Sequence, residues 1–224
     1  MDRKDFIRKG VAGIGGITAL SAAFGLHSAP SEVPGCEPSP RETRGPFPNK
    51  TPADLLRANI AGDRRGVPLL INLQIINASA NCPPLSGTVV DIWHCDSQGN
   101  YSEYGNGRMQ REDFTAAHFL RGRQVADTAG RVSFISIFPG YYRGRAPHLH
   151  LEILDPDGRS LLVTQVAFPE DACDRVYARS GYQGKGYVPN ERDGVFRNSL
   201  EQNMADAITG NPEDGYTLEK TIVV

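Results

Sequence analysis

Leu69, Ile71, Leu73 and Ile75 recur at every second residue of Pro68–Ile76, the period of a strand with one buried face. Similar runs predict strands at Leu85–His94, Gln124–Thr128, Arg131–Ile137, His148–Leu154, Leu161–Phe168 and Thr217–Val224. Asp155-Pro-Asp-Gly158 is a turn between two of them. Helical signals are short. One covers residues 51–59, with Thr51 as cap and Pro52 in the first turn. The others are Glu170–Arg179 and Ser199–Ile208. Short strands separated by turns predict a mainly β chain: a β-sandwich core with long loops and a few short helices.

Composition agrees. The 224 residues include 24 Gly and 16 Pro, a load that suits turn-rich β structure. A hydrophobic share of 39% and a charged share of 22% exclude a disordered chain and a multi-span membrane protein. The net charge is −2, without the basic excess of a nucleic-acid-binding domain.

Residues 1–9 are charged, Gly10–Leu26 carries no charge, and Ser21-Ala22-Ala23 supplies small residues. That order predicts a signal peptide over residues 1–26 and an exported protein, periplasmic or extracellular. Arg3-Lys4-x-Phe6-Ile7 resembles the twin-arginine export motif, with Lys in its second position. An uncleaved segment is the competing reading and the one route to a membrane, although about 17 apolar residues is the lower limit for spanning. Residues 27–50 read as an extended N-terminal segment, and residues 51–224 as the folded domain. Four cysteines suit an oxidising compartment, and they form no C-x-x-C pair.

Chemistry concentrates at His148-Leu149-His150. In a strand both imidazoles emerge on one face, an arrangement that suits a metal but by itself is more often polar surface. The flanking segments decide between the two. Asp91-Ile92-Trp93 is followed by Gly99-Asn100-Tyr101, and Pro139-Gly140-Tyr141-Tyr142 by Arg145-Ala146-Pro147-His148. Thr43-Arg44-Gly45-Pro46-Phe47, Phe119-Leu120-Arg121-Gly122, Thr164-Gln165 and Asp214-Gly215-Tyr216 lie around them. Together these motifs resemble the intradiol ring-cleavage dioxygenases, the catechol and protocatechuate dioxygenase family, over roughly residues 36–224. Arg44 stands where the family usually has Glu, and Trp93-His94-Cys95 is similar to its short exported members.

The resemblance implies non-haem Fe(3+) held by Tyr101, Tyr142, His148 and His150. It implies Arg145 and Gln165 beside the substrate, with Tyr142 as the ligand that substrate displaces. The partners implied are a catechol and O₂, and the product a muconate-type diacid. A homo-oligomer also fits the relatives. The donor set makes physical sense, because two phenolates at neutral pH need a strongly acidic cation. Tyr104 competes with Tyr101 and Tyr141 with Tyr142, and the motif spacing selects Tyr101 and Tyr142. Trp93 reads as core that also lines the pocket, His94 as structural, and His118 as a solvated loop residue.

Two other functions are weighed. One is a β-sandwich binding or carrier module without catalysis. The other is a zinc or copper hydrolase, which lacks a third conventional ligand at a sensible spacing. For the cysteines, a ten-residue strand would hold Cys82 and Cys95 about 33 Å apart. With Cys95 and Cys173 both placed toward the iron end, the expected bridges are Cys95–Cys173 and Cys36–Cys82.

Overall fold

A computed structural model describes residues 37–79 and 81–224. The signal segment 1–26, Cys36 and residues 27–36 of the extended segment lie outside the described residues. Among those described, no helix is long and apolar enough to cross a membrane.

Eight strands form two four-stranded sheets. They are β1 (Pro68–Ile76), β2 (Val89–Trp93), β3 (Arg121–Val125), β4 (Arg131–Ile137), β5 (His148–Leu154), β6 (Ser160–Ala167), β7 (Ala207–Asn211) and β8 (Gly215–Val223). The sheet orders are β4-β1-β8-β7 and β3-β2-β5-β6, antiparallel throughout except for the parallel pair β1 and β8. Helices α1 (Glu170–Tyr177) and α2 (Leu200–Asn203) follow β6.

The core lies between the sheets. Leu69, Ile71, Leu73 and Ile75 of β1 and Phe134 of β4 join Val90 and Ile92 of β2 and Leu149, Leu151 and Ile153 of β5 in one buried cluster. Alternation alone puts those side chains inward. His148 and His150 therefore point outward, yet they are buried as well. The chain between Ser39 and Lys50 covers them. It bonds to β8 and β6 (Ser39 N–H to Val223 O, 3.0 Å; Glu42 N–H to Val163 O, 2.8 Å) and ion-pairs Arg44 with Glu152.

Four elements differ from expectation. The strand expected over 85–94 is confined to 89–93, because its apolar run serves two sheets. Leu85 N–H bonds Ile75 O of the first sheet, and Gly87 at φ +78° turns the chain toward the second. The third strand moves upstream to 121–125, since Asp127–Gly130 closes a turn (Gly130 N–H to Asp127 O, 2.9 Å). Thr51 caps no helix. Its hydroxyl bonds Glu103 Oε1 at 3.2 Å, and only the single 3-10 turn Pro52–Asp54 forms. The helix expected over 199–208 stops at Asn203, because Ala205 N–H bonds Ala167 O and residues 207–211 pair with β8.

The Cys95–Cys173 bridge does not form. Both are buried free thiols in separate apolar clusters, Cys95 with Trp93 and Tyr101 and Cys173 in the main core on α1. Burial pushes both thiols above their ordinary pKa. Cys82 is disulfide-bonded, and its expected partner Cys36 lies outside the described residues.

Candidate active site

Strand register assembles the site. Trp93 of β2 lies opposite Arg121 of β3 on one side and His150 of β5 on the other, and His150 lies opposite Gln165 of β6. Paired residues of an antiparallel sheet share a face, so this row projects from the outer side together with His148. The Trp93 ring stacks flat on His150, centroids 5.0 Å apart and 1° from parallel.

His148 Nδ1 lies 2.6 Å from Ala146 O, which directs its proton there and leaves Nε2 a lone pair. That nitrogen is 3.1 Å from His150 Nε2. Burial first, and then the Arg145 charge, lower the His148 pKa to about 3. Burial and His148 hold His150 well below its ordinary value. Both rings are therefore neutral at pH 7, and nitrogens this close need a proton or a cation beside them.

Tyr101 and Tyr142 complete the cluster. Their ring centroids are 5.8 Å apart, with Tyr142 5.4 Å from His148 and Tyr101 6.3 Å from His150. The Tyr101 hydroxyl is fully buried and has no hydrogen-bond partner. Burial raises both phenols, for Tyr142 against the opposing charge of Arg145. An orphaned phenol, two converging imidazole nitrogens and a second phenol suit a hard trivalent cation able to ionise tyrosine. Among the described residues no group of three or more His, Cys, Asp or Glu could hold a metal. The candidate donor set is thus half phenolic.

Gly45 roofs the cluster at φ +67°. A Cβ there would lie 2.9 Å from His150 Cε1 and 3.8 Å from the Tyr142 hydroxyl. Phe47 stacks on Tyr101 at 4.7 Å. Arg145 donates from NH1 to the Tyr142 oxygen (3.0 Å), from NH2 to Gln165 Oε1 (2.6 Å) and from Nε to Asp193 Oδ2 (2.8 Å). Gln165 Nε2 in turn donates to Thr43 O at 2.7 Å.

The competing residues are engaged elsewhere. Tyr104 donates to Pro48 O and Tyr141 to Gly184 O. His94 bridges Cys95 O and Ser136 Oγ, and burial lowers its pKa to about 4. His118 meets Glu103. Sequence reasoning missed Asp193 and Gln110. Asp193 also accepts from Ala146 N–H, and Gln110 bonds the backbone of Tyr101. An acid 43 residues beyond His150 and an amide in a polar loop carry no periodic signal.

A family model described as Dioxygenase matches residues 45–183. An intradiol ring-cleavage dioxygenase from Tetranychus urticae superposes with a TM-score of 0.73 and 30% identity, over 84% of this chain and 94% of that one. The chain belongs to the intradiol ring-cleavage dioxygenase family. Curated members of the family match over shorter stretches. A chlorocatechol 1,2-dioxygenase from Rhodococcus opacus is 30% identical over 39% of each chain. A protocatechuate 3,4-dioxygenase beta chain from Burkholderia cepacia is 31% identical over 39% of this chain and 40% of that one. The chain thus spans about two fifths of the length of these curated relatives. The matched residues 45–183 include Gly45, Tyr101, Tyr142, Arg145, His148, His150 and Gln165.

Proposed function

We propose that the chain is a non-haem Fe(III) enzyme that cleaves a catecholic ring between its two hydroxylated carbons. Both atoms of O₂ enter the product, so C₆H₆O₂ and O₂ give the C₆H₆O₄ diacid. The observation that carries this reading is the convergence of the His148 and His150 Nε2 atoms with two buried phenols beneath Gly45. Tyr101, Tyr142, His148 and His150 would hold the ion. When bound, it supplies the Lewis acidity that ionises phenols and favours a catecholate over a neutral catechol.

The chain's own groups do the rest. Tyr142 Oη is the atom that can take a proton from the catechol, because Arg145 NH1 donates to it and supports its negative form. Gln165 and Asp193 hold the guanidinium between them, so its charge faces the ring cluster without rearrangement. Trp93, Phe47 and Tyr101 pack together as an apolar wall that keeps water from the cluster.

Protein expressed with ample iron should carry about one iron per chain and absorb visible light through its tyrosinates. It should consume O₂ with catechols in a one-to-one ratio. Tyr142→Phe should retain iron through Tyr101, His148 and His150 while losing the ability to ionise substrate. Colourless, iron-free protein that consumes no O₂ would overturn the reading.

Export through residues 1–26 belongs to the same proposal. Cys82, being disulfide-bonded, supports an oxidising compartment. N-terminal sequencing of protein from the periplasm or medium checks it, and an intact Met1 would count against cleavage.

A further inference from the structure

Tyr101 lies in no strand, and its phenol oxygen has no hydrogen bond to aim it. The segment that carries it is irregular, and Glu103 within it adopts φ +67°, a left-handed conformation that costs a non-glycine residue energy. Something must fix this backbone if the phenol is to meet the imidazoles.

Arg121 holds the adjoining Ser102 (NH2 to Ser102 O, 2.7 Å), and at Tyr101 itself the group is the buried side chain of Gln110. Its Oε1 accepts from Tyr101 N–H at 2.6 Å. Its Nε2 donates to Tyr101 O at 2.8 Å and to Tyr104 O at 2.9 Å. One amide thus satisfies both backbone groups of Tyr101, as a neighbouring strand would. The loop bearing Gln110 is closed separately, by Gly107 N–H to Gln110 O (2.8 Å) and Asn106 Nδ2 to Asp113 Oδ2 (2.8 Å).

We propose that Gln110 is the positioning residue for Tyr101: its side-chain amide takes the place of a strand neighbour and sets where the phenol oxygen points. The proposal rests on the reading of Tyr101 as an iron ligand.

Gln110→Met keeps the side-chain length and removes the amide. In the metal-free full chain, hydrogen exchange at Tyr101 N–H should accelerate at least tenfold. Exchange at Glu103 N–H, bonded to Phe114 O and Ala117 O, should change far less. The iron-loaded arm uses two backgrounds. In Tyr142→Phe the visible band reports Tyr101 alone, and in Tyr101→Phe it reports Tyr142 alone.

Gln110→Met should shift or abolish the first band, weaken iron retention by about 10–100-fold, and leave the second band in place. Asp113→Ala, which loosens the same loop without touching Tyr101, should leave both bands. If Gln110→Met does not fold, Gln110→Glu serves the band and iron-retention comparisons, since it loses the donors to Tyr101 O and Tyr104 O while keeping the acceptor for Tyr101 N–H, whose exchange should then change little. Equal shifts in both backgrounds, no shift in either, or an effect matched by Asp113→Ala would overturn the proposal. A wild-type protein that binds iron with no tyrosinate band would instead overturn Tyr101 as a ligand. The exchange measurement would then still report whether Gln110 holds that backbone.

Discussion

Arg145→Ala removes a guanidinium that hydrogen-bonds Asp193, Tyr142 and Gln165 in the interior and whose NH1 lies 3.4 Å from His148 Nε2. The largest consequence falls on Asp193, which is fully buried. Its Oδ2 would keep only the Ala146 N–H at 2.7 Å, and its Oδ1 the N–H groups of Val195 (2.8 Å) and Phe196 (3.4 Å). Removing one partner of a buried ion pair costs about 3–5 kcal/mol. A domain has roughly 5–15 kcal/mol in total, so the substitution removes a large share of its stability. At about 2–4 °C per kcal/mol for a chain of this size, the melting midpoint falls by roughly 6–20 °C.

Arg145→Ala with Asp193→Ala should melt higher than Arg145→Ala alone, because the uncompensated charge is gone. The pH dependence has a definite sign. Burial opposes ionisation of Asp193, but the Arg145 side chain, the Ala146 N–H and the Arg145 charge outweigh it, so its pKa lies below the ordinary value. The stability it contributes is full above the unfolded pKa of about 4 and is lost as pH falls through the folded one. The gap between variant and wild type should therefore be widest at neutral pH and close below about pH 4.

Thermal melts of the metal-free proteins at pH 7 and at acid pH provide the assay. Turnover of the iron-loaded variant should fall about 10²–10³-fold. A single variant that melts with wild type, or a double variant that melts lower than the single, would refute the reasoning.

Gly45→Ala forces a non-glycine residue to φ +67°, at a cost of roughly 1–3 kcal/mol, and drives its Cβ toward His150. Iron retention should fall by more than the metal-free midpoint suggests, and an unchanged iron content would show that the roof has room. Cys95 and Cys173 should resist iodoacetamide in the native protein and react once it is unfolded without reductant, while Cys82 stays blocked. A mass-spectrometric Cys95–Cys173 crosslink would contradict this.

Much of the frame is visible in the order of residues. Period-two alternation identifies β1, β4 and β5 with their observed limits, because a strand with one buried face must repeat every two residues. His148-x-His150 needs no more than that to put both rings on one side. Resemblance of Gly99-Asn100-Tyr101 and Pro139-Gly140-Tyr141-Tyr142 to the family's motifs selected the two tyrosines that the fold brings together. These are local signals, carried by neighbours in sequence.

What the tertiary structure decided depends on distant partners. The run over 85–94 was split because Leu85 found a backbone partner in Ile75, ten residues back and in the other sheet. Residues 207–211 became a strand because β8 offered them an open edge. Cys95 and Cys173 stayed apart because each was drawn into a different apolar cluster. Asp193 meets Arg145 from 48 residues away, and Gln110 reaches the Tyr101 backbone through a loop without periodicity. A buried charge or an unpaired peptide group is satisfied by whatever the fold delivers to it, and one-dimensional spacing does not record that delivery.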